Sequence, residues 1–220
     1  MRRTWGWLLI ALLAMQGALI APVRAADAIG NVLALVAKVQ QSNTKGFEGL
    51  RSYRMRIRTP HLSGVMISNI EKNKDEFIFM QNNLKYTVYT VGSIWYQQTG
   101  KGAWTKMDMA RLLAWTRKVN SKPIAAATDE PLPHERVLAD RKVNGVLMSA
   151  ANFEVPAKSI DSHLSSTRRV TVTCLFDKRD PRNGSCRAGE LLTLIFDRAD
   201  DPANDFTIPI AALRAPLTRF

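Results

Sequence analysis

The chain has 220 residues, of which 46% are apolar and 23% charged, and it contains two cysteines and three histidines. This composition is typical of a globular domain, and it excludes a disordered tail, a collagen-like repeat and a many-helix membrane protein. Two cysteines are too few for a disulfide scaffold and, with three scattered histidines, for a structural zinc site. The abnormal property is a formal net charge of +12.

The first 25 residues have the order of a secretory signal peptide. Arg2 and Arg3 precede an apolar run from Trp5 to Ile20, and small residues lead to a cleavage site predicted after Ala25. A retained membrane anchor is the alternative, but the apolar run is shorter than a full membrane span. Cleavage would leave 28 basic and 19 acidic residues, a net charge of +9 on residues 26–220. We therefore expect an exported, periplasmic protein of the Gram-negative type.

In the exported protein, Cys174 and Cys186 are expected to pair, because the space beyond the inner membrane is oxidising. The turn-forming pairs Asp180-Pro181 and Asn183-Gly184 lie between them. A redox-active pair is disfavoured because the spacing is not Cys-x-x-Cys. We predict a structural disulfide that closes a long loop and contributes about 3 kcal/mol to stability on the chain-entropy model.

In chain order, the first element predicted after the leader is an amphipathic helix. Asp27 is its expected N-cap and it should end between Ser42 and Gly46. Its helical spacing comes from Ile29, Val32, Leu33, Val36 and Val39. The period then changes from 3.6 to 2, since residues 52–58 alternate apolar side chains with arginines. This alternation predicts a strand with one buried face and one cationic face.

A run of short strands at close spacing follows. Turn-formers such as Ser63-Gly64, Asn82-Asn83 and Gly92-Ser93 separate these segments, which predicts consecutive antiparallel hairpins. The segments are Val65 to Ile70, Phe77 to Met80, Lys85 to Val91, Ile94 to Gln97 and Trp104 to Met107. Asp108 then caps a second predicted helix, which has Met109, Leu112, Leu113 and Val119 on one side and ends at Pro123.

The last third of the chain predicts more strands after an irregular connection at 124–134. Asn144-Gly145 is a strong hairpin signal between Val137 to Val143 and Val146 to Val155. Another strand pair, Arg169 to Phe176 and Leu191 to Phe196, surrounds the cysteine loop, and a final strand is predicted at Phe206 to Ile210. Because no repeat or linker divides residues 26–220, we expect a single α+β domain with one long antiparallel sheet and two helices.

Catalytic patterns are weak in this sequence. It contains no Gly-x-Ser-x-Gly, no phosphate-binding glycine loop and no His-Glu-x-x-His. Asp161 and His163 form the only close pair of an acid and an imidazole, and no recognisable serine or cysteine motif accompanies them. Three carboxylates at 197–201 lack the glycine and the distal glutamate of a calcium loop. We expect no enzymatic activity, no cofactor and no metal.

The arginine stripe of Arg54, Arg56 and Arg58, next to Tyr53, is of a kind that binds nucleic acids. Export argues against nucleic acid as a partner. An anionic membrane surface or an acidic protein partner is the expected binding partner of such a secreted cationic face. The alternative is that these arginines only keep the outer sheet face hydrated and discourage pairing with other strands.

Methionine and aromatic residues are concentrated between Tyr53 and Trp115. Such side chains line adaptable pockets for greasy ligands, although packing in an ordinary core is the default alternative. Two helices are too few to cover the concave face of a long curved sheet, which favours a ligand site there. The candidate lining residues on the sheet are Tyr53, Met55, Ile57, Val65, Ile67, Phe77, Phe79, Tyr86, Val88 and Trp95, and the lid candidates are Leu112 and Trp115.

Several segments together carry a resemblance to a known family. They are the N-terminal amphipathic helix, Tyr53 to Ile57, the Gly64-led second strand, Val91 to Gln98 running into Gly102 to Asp108, and Phe196-Asp197 leading to Phe206 to Pro209. Over most of residues 27–210 this pattern resembles the periplasmic outer-membrane lipoprotein carrier (LolA-like) superfamily and its lipid-carrying relatives. The resemblance implies an incomplete antiparallel β-barrel, a half-barrel, with helices covering its concave apolar face.

Two functions are compatible with that resemblance. It implies a periplasmic carrier or binding protein for a lipid, a lipoprotein acyl chain or another hydrophobic ligand, with no chemistry performed on the ligand. The alternative is a periplasmic sensor or regulatory module on the same fold that binds a protein partner through Arg54, Arg56 and Arg58.

Overall fold

The computed structural model describes residues 48–81, 83–111, 136–157, 160, 164 and 168–218. The predicted leader, the predicted helix after Asp27 and the connection at 112–135 lie outside these residues. Asp108 caps a helical turn at 109–111, as predicted, because its side chain accepts hydrogen bonds from the backbone N–H groups of Ala110 and Arg111.

Eleven strands form one antiparallel sheet. They are β1 (Ser52–Arg58), β2 (Leu62–Asn69), β3 (Lys74–Gln81), β4 (Leu84–Val91), β5 (Ile94–Thr99), β6 (Thr105–Asp108), β7 (Arg136–Val143), β8 (Val146–Pro156), β9 (Arg169–Asp177), β10 (Gly184–Ala188) and β11 (Leu192–Asp197). Their spatial order is β6-β5-β4-β3-β2-β1-β11-β10-β9-β8-β7. The first strand therefore lies at the centre of the sheet, between β2 and β11.

The sheet is open. Its edge strands are β6 and β7, which do not pair with each other within the described residues. An open antiparallel sheet of this length fits the predicted half-barrel. Apart from the turn at 109–111, the helices predicted to cover it lie outside the described part of the chain. The predicted β7–β8 hairpin is confirmed, since Asn144 and Gly145 have φ values of 49° and 81°, the positive values that a type I′ turn requires.

Three predictions about strands and turns are wrong. Ser63 and Gly64 lie inside β2 rather than in a turn, and the chain reverses at 59–61, where the backbone N–H of Thr59 donates to the carbonyl of Leu62. Strands β9 and β11 do not pair with each other, because β10 lies between them. Residues 206–210 form no strand.

Residues 202–218 form a C-terminal segment that crosses the sheet instead of joining it. It contains a 3-10 helix (Pro202–Asn204) and the short helix α1 (Ile210–Leu213). Phe206, Ile208 and Ala212 pack against Tyr89 and Tyr96 of β4 and β5. Further along, the backbone N–H of Thr218 donates to the carbonyl of Lys106 in β6, at 2.8 Å. The C-terminal segment therefore covers part of one sheet face and meets the β6 edge.

The two faces of the sheet have different compositions, because side chains alternate along each strand and cross-strand partners share a face. The inner face is the one that carries Tyr53, Met55 and Ile57, and the outer face carries Arg54 and Arg56. The main buried cluster occupies the inner face across the sheet. Each fully buried large apolar side chain contributes roughly 1.5–3 kcal/mol. The C-terminal segment packs on the outer face.

Candidate functional site: the inner face of the sheet

Most of the predicted lining residues lie together on the inner face. The register aligns Met55 with Met66, Met66 with Phe77, and Phe77 with Val88, so these four side chains form one row across β1 to β4. The predicted residues that are buried in the main cluster are Tyr53, Met55, Ile57, Phe77, Phe79, Val88 and Trp95, and the half-buried Tyr86 packs against them. The structure thus brings eight of the ten predicted sheet residues onto one face.

Val65 and Ile67 are wrongly placed by the sequence prediction. They pair with Arg56 and Arg54, so they lie on the outer face, and the inner-face residue of β2 is Met66, which is 4% exposed. Val65, Met66 and Ile67 are all apolar, so either alternate set of residues in β2 could face the core. A shift of one residue exchanges the two faces. Only the pairing of β2 with β1 decides which set of side chains faces inward.

The inner face also extends beyond the predicted set, into the half of the sheet formed by β8 to β11. Phe196 aligns with Met55 and Leu194 aligns with Ile57, which carries the apolar surface across the central β1–β11 pair. The additional buried inner-face residues include Phe153, Val155, Val172, Phe176 and Leu192. Period-two alternation in 153–155, 170–176 and 192–196 is the signal that indicates these residues.

Aromatic rings line the middle of the inner face. The Phe79 ring stacks on Tyr86 with centroids 4.8 Å apart, and the Phe77 ring lies 4.7 Å from that of Phe79. Gly64 of β2 lies opposite Phe79 of β3 and lets the two strands approach closely at this point. A Cβ at position 64 would lie 2.6 Å from the Phe79 Cβ and 2.8 Å from the carbonyl oxygen of Ile78. Glycine inside a strand here marks a close approach of its neighbour.

One carboxyl interrupts this apolar face. Asp75 aligns with Ser68 and Thr90, and its two carboxyl oxygens accept hydrogen bonds from their hydroxyls at 2.6 Å and 2.8 Å. Burial raises the pKa of Asp75, and the two hydrogen bonds offset only part of that effect. Tyr53 and Trp95 lie on the same cross-strand row. The row therefore has a polar centre between aromatic ends, which sequence reasoning missed.

The predicted lid residues Leu112 and Trp115 lie outside the described residues, as do Asp161 and His163. The position of Leu112 and Trp115 over the inner face is therefore still a prediction. Within the described part of the chain, no three His, Cys, Asp or Glu side chains are grouped as they would be around a metal ion. In that same part, no helix has the length and apolarity needed to cross a membrane.

The three predicted docking arginines differ in their surroundings. Arg54 donates two hydrogen bonds to Asp197, from Nε at 2.7 Å and from Nη2 at 2.9 Å, and Arg56 donates to the same carboxylate at 2.7 Å. Burial would raise the pKa of Asp197, but its bonds to these two arginines outweigh burial and leave the pKa below its ordinary value. Arg54 is thus part of a cross-strand ion pair, and the outer-face stripe is partly neutralised.

Arg58, the third predicted docking residue, borders an open groove of about 720 Å³ at one end of the sheet. The β1–β2 turn, the end of β3 and the β10–β11 turn form this groove, which includes His61, Met80 and Glu190 in its lining. None of the predicted sheet lining residues borders it. Among the described residues, the groove meets the main buried cluster only at Leu62.

Cys174 and Cys186 form a disulfide, as predicted. Its setting differs from the predicted one, because the two cysteines are directly opposed partners on the neighbouring strands β9 and β10. Both are fully buried on the inner face, between Leu194 of β11 and Ala151 of β8. The bond therefore joins two strands of the sheet itself, and the 177–183 turn lies beyond it.

No protein-family model matches the chain, and no curated protein matches it. Among solved structures it is similar to the lipoprotein LppX of Mycobacterium tuberculosis, with 12% identity, a TM-score of 0.46 and coverage of 77% of this chain and 96% of that one. LprF from Mycobacterium bovis matches with 13% identity, a TM-score of 0.43 and coverage of 80% and 96%. An uncharacterised conserved protein from Thermus thermophilus matches with 9% identity, a TM-score of 0.44 and coverage of 83% and 99%.

A further match is a domain named as an outer membrane lipoprotein-sorting protein, from Vibrio parahaemolyticus, with 8% identity, a TM-score of 0.26 and coverage of 75% and 92%.

Proposed function

We propose that this protein is a carrier or binding protein for a lipid, a lipoprotein acyl chain or another hydrophobic ligand, held against the inner face without a covalent step. The observation that carries this proposal is the extent of the inner face. Apolar side chains continue across it from Met107 in β6 to Phe153 in β8, and within the described residues no second sheet packs against it. A single sheet needs a second layer, which an acyl chain and the predicted helices can supply together.

The chemistry of the lining supports a ligand with flexible hydrocarbon chains. Met55 and Met66 face each other across β1 and β2, and methionine side chains adapt to irregular apolar shapes. The stacked rings of Phe79 and Tyr86 add a flat apolar wall. The proposed lining set is Tyr53, Met55, Ile57, Met66, Phe77, Phe79, Tyr86, Val88 and Trp95, with Leu112 and Trp115 proposed as lid residues.

The proposed location is the periplasm. Residues 1–25 are proposed to be a cleaved signal peptide, on the sequence pattern given above. The Cys174–Cys186 disulfide supports a location outside the cytoplasm, because such bonds persist in oxidising compartments and are rare in reducing ones.

The sensor or regulatory alternative, in which a protein partner binds Arg54, Arg56 and Arg58, has less support. Asp197 already pairs with Arg54 and Arg56 within 2.7 Å, so a partner carboxylate would compete with an existing bond. If this alternative is correct, charge reversal of the three arginines abolishes capture of the partner and leaves lipid binding intact. The carrier proposal also expects this charge reversal to leave the amount of bound lipid unchanged, so capture of a partner is the measurement that separates the two.

Lipid retention tests the carrier proposal. The protein purified from its own host is expected to show co-purified lipid in native mass spectrometry, and the stripped protein is expected to bind a fluorescent fatty acid. Protein that is persistently free of ligand, and that binds neither fatty-acyl probes nor lipopeptides, would overturn the proposal.

Two adjacent residues of β2 give a matched pair of variants. Met66→Gln places an amide on the inner face, and we expect it to weaken fatty-acid binding on the order of tenfold by the cost of an unpaired polar group. Ile67→Gln makes a comparable change on the outer face, opposite Arg54 and Glu76, and should leave binding unchanged. Urea unfolding of both variants verifies that each is folded. Equal effects of the two substitutions would count against an inner-face site.

A further inference from the structure

The β7–β8 hairpin ends in an exposed apolar tip. Val143, Val146 and Leu147 surround the Asn144-Gly145 turn, with 39%, 37% and 42% of their surfaces exposed. Val143 and Val146 are direct cross-strand partners, and Leu147 lies opposite Lys142. These three residues are named the hairpin tip. Three neighbouring exposed aliphatic side chains at a turn form a surface that water solvates poorly.

Cationic side chains surround the hairpin tip. Arg141 and Lys142 precede it on β7, and Lys178 and Arg179 lie in the adjacent β9–β10 turn. The turn is tied to the tip, because the backbone N–H of Lys178 donates to the carbonyl of Leu147 at 3.1 Å. All four cations are exposed.

Most of this positive charge is uncompensated. Lys178 pairs with Asp140 at 2.6 Å, whereas Arg141, Lys142 and Arg179 make no ion pair with any residue that the structure describes. Two of the three arginines of the β1 stripe are different, since Asp197 accepts hydrogen bonds from both Arg54 and Arg56. The predicted cationic docking surface therefore has a better counterpart at the hairpin tip than at the arginine stripe of β1.

The hairpin is held rigidly enough to present its tip. β8 aligns with β9 over nine consecutive residue pairs from Met148 to Pro156, which fixes one strand of the hairpin to the sheet. β7 is an edge strand, and it carries charged side chains and a register shift between Leu138 and Arg141, features that discourage pairing with another strand. The surface thus suits insertion of the tip better than addition of a strand from a partner.

We propose that the hairpin tip docks the protein onto an anionic lipid bilayer. Val143, Val146 and Leu147 enter the boundary between headgroups and acyl chains, and Arg141, Lys142 and Arg179 bind the lipid phosphates. Apolar side chains flanked by basic ones bind anionic membranes by adding apolar burial to electrostatic attraction. A bilayer is also the structure that would give or receive an acylated ligand. The biological role of this docking therefore rests on the proposed carrier function, whereas vesicle binding can be tested independently of it.

The test is co-sedimentation of the purified protein with sucrose-loaded vesicles, either phosphatidylcholine alone or phosphatidylcholine and phosphatidylglycerol in equal parts. The full chain is expressed with its own leader and its N-terminus is determined by mass spectrometry, so that all variants are compared in one form. We expect binding to the vesicles that contain phosphatidylglycerol, weak binding to phosphatidylcholine alone, and a decrease with added NaCl because salt screens the charges.

Two double variants separate the charge from the apolar contact. Arg141→Glu/Lys142→Glu is expected to weaken binding by about 30-fold, since each basic residue near the surface contributes about fivefold. Val146→Ser/Leu147→Ser is expected to weaken it on the order of tenfold through lost apolar burial. The matched control is Lys85→Glu/Lys101→Glu, which changes the net charge equally with exposed lysines of the β4 start and the β5–β6 turn. The control should bind as the parent does.

Three results would overturn the proposal: no binding to either vesicle, equal binding to both, or equal losses in the hairpin and control variants. Capture of an acidic protein with no vesicle binding would also overturn it and would assign the surface to that partner. The fatty-acid assay on the same variants distinguishes this proposal from the carrier function. In the hairpin variants, loss of vesicle binding with unchanged fatty-acid binding supports the docking proposal. A parent protein that binds the anionic vesicles but no fatty acid contradicts only the carrier function, and a parent that binds fatty acid but neither vesicle contradicts only the docking proposal.

Discussion

Replacing both cysteines with alanine (C174A/C186A) should lower the free energy of unfolding by about 3 kcal/mol. The two residues are separated by 12 positions, and on the chain-entropy model a loop of that length removes on the order of 10 cal/mol/K from the unfolded chain. Both positions are fully buried between apolar neighbours, so alanine leaves no unpaired polar group. The loss is therefore expected to come mainly from the unfolded state.

Urea unfolding followed by circular dichroism measures this effect. With a slope of about 1–3 kcal/mol/M, the midpoint should fall by at least about 1 M relative to the oxidised parent. The reduced parent is the control, because it also lacks the cross-link, and its midpoint should lie near that of the double variant. Equal midpoints for the oxidised parent and the variant would refute the reasoning, and free thiols in the oxidised parent would refute the bond itself.

Three further predictions test the electrostatics and packing of the sheet. Asp75→Asn should stabilise the protein at pH 7. Burial raises the pKa of the Asp75 carboxyl in the folded protein, so ionisation of this group lowers stability as the pH rises above its pKa in the unfolded chain. In urea unfolding the difference from the parent should shrink at pH 3.5, and a variant less stable than the parent at pH 7 is the contrary result. Gly64→Ala should lower stability by about 1–3 kcal/mol, because its Cβ would meet backbone as well as side-chain atoms of β3; an unchanged thermal midpoint would contradict the close approach. Asp205 should titrate in NMR at a pKa of about 2, because it accepts hydrogen bonds from Lys72 and Lys74, and titration at the ordinary carboxyl value would show that these ion pairs do not form in solution.

Alternation along single strands made much of the sheet predictable. In β1 arginines occupy alternate positions, so only one face of the strand is apolar. The buried set of Tyr53, Met55 and Ile57 followed directly. In β2 three consecutive residues are apolar, so the sequence does not decide which face is buried. Met66 could be found only from the register with β1. A pattern that is local to one strand cannot report pairing with another.

The missed elements have specific causes. β10 contains glycine, serine, arginine and alanine around Cys186, with no β-branched or aromatic residue, so its strand propensity is low and its position follows from its neighbours. Residues 206–210 contain β-formers but include Pro209, which lacks an N–H for a sheet ladder, and Phe206 and Ile208 pack across β4 and β5 instead. The hydroxyl pair around Asp75 unites three different strands and has no signature in any one of them.

The measurement that most directly tests an inner-face ligand site is photo-crosslinking with a fatty acid that carries a diazirine on its acyl chain, followed by mapping of the labelled peptides. We predict labelling at inner-face residues such as Met55, Met66 and Phe79, and competition by unlabelled fatty acid. The adjacent outer-face residues Ile67 and Ile78 should stay unlabelled. Labelling confined to the outer face, or labelling that unlabelled fatty acid does not reduce, would contradict a ligand held on the inner face of the sheet.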